Sequence, residues 1–292
     1  MSARRFEVYA PLQDFLWEGD DFELAPNLWI RRFTGPPDIS GLHEWIAKDE
    51  WDRASGAAHW LIFDWIDGTF PSPAEVTNLM LLSLWLVKPT RSYIAFRFEL
   101  GRDAAGSEKA RRRMLDRFAW VTGAIHADIE DMDLKSASAY YSALVTSCRA
   151  RARLNDALLL TIAGCWSHAW QVALICHAAA AETLLTYETG RGITGRLAKS
   201  YACLTESDST KRDAAYREFS TLYSARSDIM HGRTHNVVTT DRLPTLIRFQ
   251  EVLRRLWRVV LTTPSLSAVL EGTDAQRKAH LHALEAGYTP GP

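Results

Sequence analysis

Beyond about Asp133 the chain changes texture, and that change limits what it can fold into. Leu134–Arg149, Arg153–Ser167 and Ala169–Tyr187 are long segments with apolar residues at helical spacing and few breakers. Gly190, Gly192 and Gly195 mark a loop. Ile193–Leu204, Ser209–His231, Arg242–Leu261 and Thr273–Ala286 then continue the helical series, with Asp208 or Ser209 as the cap of the Ser209–His231 helix. The upstream half is punctuated instead. It holds Trp17, Trp29, Trp45, Trp51, Trp60, Trp65, Trp85 and Trp120, most of the prolines and several short aromatic, β-branched segments. Phe6–Tyr9, Leu28–Phe33, Trp60–Trp65 and Tyr93–Leu100 read as strands, and the last alternates well. Asp38–Lys48 and Ser72–Val87 read as helices, the second opening on Ser-Pro-Ala-Glu, which suits an N-cap with proline in the first turn. The pattern predicts an α+β domain over residues 1–131 and an all-α domain over 132–292. The boundary falls in the acidic stretch of Asp128, Glu130, Asp131 and Asp133. No repeat of fixed period is visible.

Composition removes several classes. The chain has 292 residues, 47% of them apolar, enough for one large or two ordinary cores. Its formal net charge of −1 means that any nucleic-acid contact must come from a local patch. Cys148, Cys165, Cys176 and Cys203 form no Cys-x-x-Cys pair and read as small apolar residues in a reducing compartment. Residues 1–8 have no apolar core and no cleavage signal. The greasy run Asn78–Val87 is too short to span a bilayer, and Ala157–Leu185 is interrupted by His168, Gln171, His177 and Glu182. The expectation is a soluble, cytoplasmic protein with no membrane segment. Gly190-Arg-Gly-Ile-Thr-Gly195 lacks the lysine of a phosphate loop, and no Gly-x-Ser-x-Gly elbow occurs. No three metal-ligand residues converge, so neither a metal nor a cofactor is expected.

One stretch carries chemistry. Tyr223 to Gly232 reads Tyr-Ser-Ala-Arg-Ser-Asp-Ile-Met-His-Gly at the end of a predicted helix. It sets Arg226 five residues before His231, and Gly232 is suited to a left-handed cap. Asp228, three residues before His231, is positioned to orient it or to hold Arg226. An arginine can hold a phosphate and a histidine can move a proton. Five residues are about 140° of rotation around a helix, so the two side chains are not stacked neighbours. The same residue types at a helix end are also ordinary capping chemistry, because the negative end of the dipole favours cations. Apolar residues at Tyr216, Phe219, Leu222 or Tyr223, and Ile229–Met230 predict a face packed on neighbouring helices.

This stretch resembles the Tyr-x-x-Arg-Ser/Asn-x-Ile-x-His-Gly signature of the HEPN superfamily, in its Apea-like branch. The upstream helix Trp170–Leu185 is similar to the family's helix ending Ala-Leu-Glu-x-Leu, and Ile193–Ser200 to the short helix that follows it. The resemblance covers about residues 134–262. It implies an all-α HEPN-like bundle that pairs as a homodimer and brings two Arg–His motifs together. It further implies a metal-independent endoribonuclease, acting on RNA through attack of the ribose 2′-OH, in the manner of a bacterial anti-phage defence or toxin effector. On that reading Arg226 and His231 are catalytic, and Tyr223, Ser227, Asp228 and Glu182 support them, Glu182 by holding Arg226. Ser227 departs from the Asn, Asp or His of many catalytic members. Residues 1–131 would sense a trigger, bind substrate or restrain the nuclease. The alternative is a non-catalytic HEPN-like module that binds RNA, nucleotide or a protein partner.

Other residues weigh less. His168 and Glu182, fourteen apart, are expected on one helix face, and His168 and His177 as core histidines. Arg233 and His235 would extend a basic lip around the site. Lys109–Arg113 and the cluster Arg254, Arg255 and Arg258 are candidate phosphate contacts but read first as solvated faces. His280 and His282 read as a solvated helix face. The tryptophans of the first half read as core, with base stacking as the second reading.

Overall fold

The computed structural model describes residues 5–37, 48–90, 92–102, 108–115, 128–150, 152–187, 192–232 and 242–290. An antiparallel sheet in the N-terminal part is followed by a mostly helical C-terminal part. The chain divides into two compact units, Met1–Val145 and Thr146–Pro292. That division lies within a helix, downstream of the acidic stretch. The acidic stretch itself belongs to the first unit: Ile129 N–H donates to the Leu16 carbonyl, and Lys88 binds Asp133 at 2.9 Å.

The first unit is built on six strands in the order β2-β3-β4-β1-β5-β6. They are β1 (Arg5–Leu12), β2 (Asp21–Ala25), β3 (Leu28–Arg32), β4 (His59–Ile66), β5 (Phe96–Arg102) and β6 (Glu108–Leu115). The four expected strands are β1, β3, β4 and β5. Polar β2 and basic β6 escaped the sequence pattern because both sit at sheet edges, where burial does not impose an apolar code. Pro26 and Asn27 close the β2–β3 hairpin, Asn27 with φ of 63°, a position asparagine tolerates. Register sets the two faces. Tyr9 lies opposite Ile62 and Phe98, and this face carries the Trp60, Phe96, Phe98 and Leu100 cluster, covered by Trp51 and Ala54 of α1 (Lys48–Ser55). Most of the expected Asp38–Lys48 helix lies outside the described residues. Phe6, Val8, Ala10 and Leu12 point to the other face and are buried. That face also holds Arg97 and Glu99, a 3.0 Å ion pair with side chains only 5% and 4% exposed. The alternation in β5 therefore does not separate core from solvent, because both faces are covered.

Helix α2 (Pro73–Val87) begins where the sequence places it. Ser72 and Glu75 form a capping box, with Pro73 in the first turn. It is buried on nearly every side, which accounts for the ten-residue greasy run without a membrane. Among the described residues no helix is long and apolar enough to cross a membrane. Helix α3 (Asp131–Ala150) is tied to the first unit by the Trp17 indole N–H donating to Asp131 at 2.9 Å and by Ser138 donating to the Leu24 carbonyl.

The second unit contains α4 (Ala152–Trp166), α5 (Trp170–Leu185), α6 (Ile193–Thr205), α7 (Ser209–Met230), α8 (Arg242–Thr262), α9 (Pro264–Glu271) and α10 (Asp274–Glu285). Only α9 was not expected. Its Glu271 carboxylate accepts from the backbone N–H groups of Arg153 and Leu154, meeting donors that the start of α4 leaves unpaired. α4 and α5 form a tight hairpin. Gly164 lets them approach, since a Cβ there would fall 2.5 Å from the ring of His177. Phe219 of α7 packs at a tilt on Tyr201 of α6 and meets Phe249 of α8, while Trp257 of α8 donates to Thr161 of α4. Cys165 and Cys203 are buried and Cys176 is partly buried, all free thiols.

Gly164→Ala should destabilise the helical unit by about 1–3 kcal/mol through this clash, read as a lowered denaturant midpoint. Gly195→Ala, whose added carbon would meet only the Tyr216 hydroxyl at 3.5 Å, should be neutral or mildly stabilising. His177 supplies a pH test. Burial lowers its pKa to about 3, so the folded chain keeps it neutral while the unfolded chain protonates near its ordinary value. Stability should therefore fall from pH 6.5 toward 3 by about 1.4 kcal/mol per pH unit for this one proton. Acid titration of the His177→Gln variant should lack that component.

Candidate functional site

The site residues come from α5 and α7, and helix pairing brings them to one end of the bundle. Glu218 and Phe219 of α7 meet Arg255 and Phe249 of α8, while His177 of α5 meets Gln250 of α8. Glu182, farther along α5, meets Tyr223 and Arg226, farther along α7. Glu182 stands in the last turn of α5, which ends at Leu185, and Arg226 stands one turn before the end of α7 at Met230. The C-termini of α5 and α7 therefore lie together. Two helix C-termini at one end create a partial negative charge that suits cationic side chains.

Glu182 organises this end. It stands in an otherwise apolar stretch of α5, with its side chain 23% exposed. One carboxylate oxygen accepts the Tyr223 hydroxyl; the other faces Arg226 Nη2 at 3.4 Å. The Arg226 guanidinium also lies 5.7 Å over the Tyr223 ring, within cation–π range. Tyr223 is buried and stacks on Phe219 at 5.8 Å, so this triad rests on the bundle core. Burial, then the bond to the Glu182 carboxylate, pushes the Tyr223 phenol well above its usual range. Tyr223 is therefore a fixed proton donor to Glu182 at neutral pH.

His231 is placed differently. α7 is regular to Met230, and His231 is its C-cap, with backbone N–H donating to the Ser227 carbonyl at 3.0 Å. Gly232 follows with φ of 62°, the left-handed cap that its position in the sequence predicts. The His231 side chain is exposed, and among the described residues no hydrogen bond holds its ring. Continuous helix from Arg226 to Met230 preserves the rotation of about 140° between the two residues. One copy thus presents an anchored arginine and a free imidazole on different sides of the helix end. Ser227 and Asp228 lie between them, half-buried.

Several expectations change. Met230 is 55% exposed, so the packing face of α7 ends before it. His168 lies in the α4–α5 connection, exposed and outside α5, and does not share a helical face with Glu182. His177 is a core residue. Arg254 is not on a solvated face: its side chain is 8% exposed and bound to Glu251, and Arg255 is committed to Glu218 and Glu251 at 3.5 Å. His282, though exposed, bonds the Tyr187 hydroxyl at 3.1 Å. Arg233, His235 and the side chains of Lys109–Arg113 lie outside the described residues. Among the described residues no cluster of three metal-ligand side chains occurs. The Tyr223 hydroxyl is the partner that spacing alone did not assign to Glu182; only the packing of α5 on α7 brings them together.

Comparison with protein-family models, with curated proteins and with solved structures gives no match.

Tyr223→Phe should cost about 1.5–3 kcal/mol, the range for a hydrogen bond to a charged group, measured by urea unfolding of the otherwise intact fold. Glu182→Ala should cost at least as much, since it strands the Tyr223 hydroxyl and the Arg226 guanidinium together. Glu182→Gln, which keeps an acceptor for Tyr223, should lie between.

Proposed function

We propose that the helical unit is a metal-independent endoribonuclease of the HEPN type, working as a homodimer whose two copies share one cleft. The observation that carries this reading is the pairing of an anchored arginine with an unencumbered histidine at a helix end. Arg226 is steered by Glu182 and Tyr223 yet remains 29% exposed at its side chain, so it can meet a phosphate. His231 is exposed and free of described side-chain bonds, as a proton-transfer group must be.

RNA carries its own nucleophile. In the proposed reaction one His231 takes the proton of the ribose 2′-OH, whose oxygen attacks the adjacent phosphorus. The bond from phosphorus to the 5′ oxygen breaks, and the other copy's His231 protonates that leaving oxygen. The products are a 2′,3′-cyclic phosphate and a 5′-hydroxyl. Arg226 offsets the charge that develops on the phosphorane oxygens. The rotation between Arg226 and His231 supports a shared site, because a second copy supplies the group that one helix cannot aim at the same phosphate. On this proposal the first unit governs when the nuclease acts, as befits a defence or toxin effector.

Purified protein incubated with labelled single-stranded RNA in EDTA should release fragments ending in 2′,3′-cyclic phosphate. His231→Ala should lower the rate about 10²–10⁴-fold. Arg226→Ala should lower it about 10²–10³-fold, with both variants folded by far-UV circular dichroism and only Arg226→Ala melting below wild type, since Glu182 loses its cation. RNA bound but left intact by all three proteins would instead identify a non-catalytic module. Cleavage that EDTA abolishes would sink the metal-independent mechanism.

A further inference from the structure

A second candidate site lies in the first unit, independent of the α7 chemistry. A cavity of about 460 Å³ opens at one end of the sheet, within the range of about 300–1,000 Å³ usual for small-molecule sites. Its floor is made by Leu28 and Phe63, cross-strand partners on β3 and β4, and by Trp65, two residues along the same face. Tyr141 and Val145, one turn apart on α3, form a wall, and Phe70 stands at the mouth. Ile66 and Phe70 are 47% and 38% exposed, apolar surface in contact with water.

Tyr141 distinguishes this cavity from a packing defect. The residue is only 7% exposed, yet among the described residues its hydroxyl has no hydrogen-bond partner. Nor is that oxygen among the buried unpaired atoms, and Tyr141 is one of the residues that line the cavity. Burial pushes its ionisation up to about 12, which keeps it a neutral hydroxyl at physiological pH. Asp64, the only charged residue on the lining among the described residues, is neutralised by Arg5 at 2.5 Å. The lining thus offers aromatic faces, no net charge and, on its α3 wall, the unengaged Tyr141 hydroxyl. A charged ligand would lose hydration without compensation, and a purely aliphatic one would leave the hydroxyl unpaired.

We propose that this cavity binds an uncharged, planar aromatic molecule of one or two rings, with a carbonyl or ring-nitrogen acceptor for the Tyr141 hydroxyl. The rings pack against Trp65 and Phe70, where offset stacking and edge contacts add to apolar burial. The hydroxyl fixes which edge of the ligand enters first.

Benzamide and toluene, similar in shape but differing in the acceptor, test this on the full-length protein by ligand-observed NMR titration. Benzamide should bind saturably and about 2- to 10-fold more tightly than toluene, the increment of one net hydrogen bond. Tyr141→Phe, which preserves the ring, should erase that preference while leaving toluene binding unchanged. Absence of saturable benzamide binding, equal affinity for the two probes in the wild-type protein, or an unaltered preference in Tyr141→Phe would each overturn the assignment. RNA cleavage by the second unit is not read in this experiment, so the two proposals stand or fall separately.

Discussion

A carboxylate within an apolar helix must be compensated, and the way Glu182 is compensated sets the geometry of the whole helical end. Losing hydration around a charged group costs several kcal/mol unless hydrogen bonds replace the water. Glu182 recovers them from two residues of α7, one neutral donor and one cation. Both donors sit on the same side of α7, three residues apart, so the contact fixes the rotation of that helix as well as its height. The aromatic stack of Tyr223 on Phe219 transmits this constraint to the bundle core. Once α7 is fixed in rotation, Arg226 has one place to be, and His231 is carried to the opposite side of the terminus.

The helical unit uses the same logic elsewhere. Close approach of α4 and α5 requires the missing side chain of Gly164, and the space is filled by a histidine kept neutral by burial. Carboxylates from distant segments close helix ends and bind arginines: Glu271 serves α4, while Glu218 and Glu251 occupy the cationic row of α8. The row that composition alone offers as a phosphate-binding face is therefore largely spent on internal ion pairs. Among the described residues Arg226 has a single ion-pair contact, to Glu182 at 3.4 Å, whereas Arg255 is held by both Glu218 and Glu251.

Helices were legible wherever a cap coincided with an apolar period. Ser72-Pro-Ala-Glu75, Asp208 and Thr273 each begin a helix where the sequence places one, because capping is decided within four residues. Gly232 was legible for the same reason. Edge strands β2 and β6 were not, since an edge strand is held by backbone pairing and carries no obligatory apolar pattern. Arg97 and Glu99 read as the polar side of a half-exposed strand. Their burial depends on what covers the second sheet face, and nothing within β5 encodes that.

The sequence by itself determined the change from a sheet-bearing half to a helical half, the ends of most helices and the presence of Arg226 and His231 on one helix terminus. Those properties follow from local propensity, capping and a period of 3.6 residues, all of which act over a few neighbours. Only the tertiary structure decided that Tyr223 and Arg226 share the Glu182 carboxylate, that His177 is buried while His168 is exposed, and that Tyr141 of α3 lines a cavity with Phe63 and Trp65 of the sheet. Each of these depends on residues that are far apart in the chain and meet only when elements pack. Burial and hydrogen-bond satisfaction are properties of that packing, so no reading of local spacing could supply them.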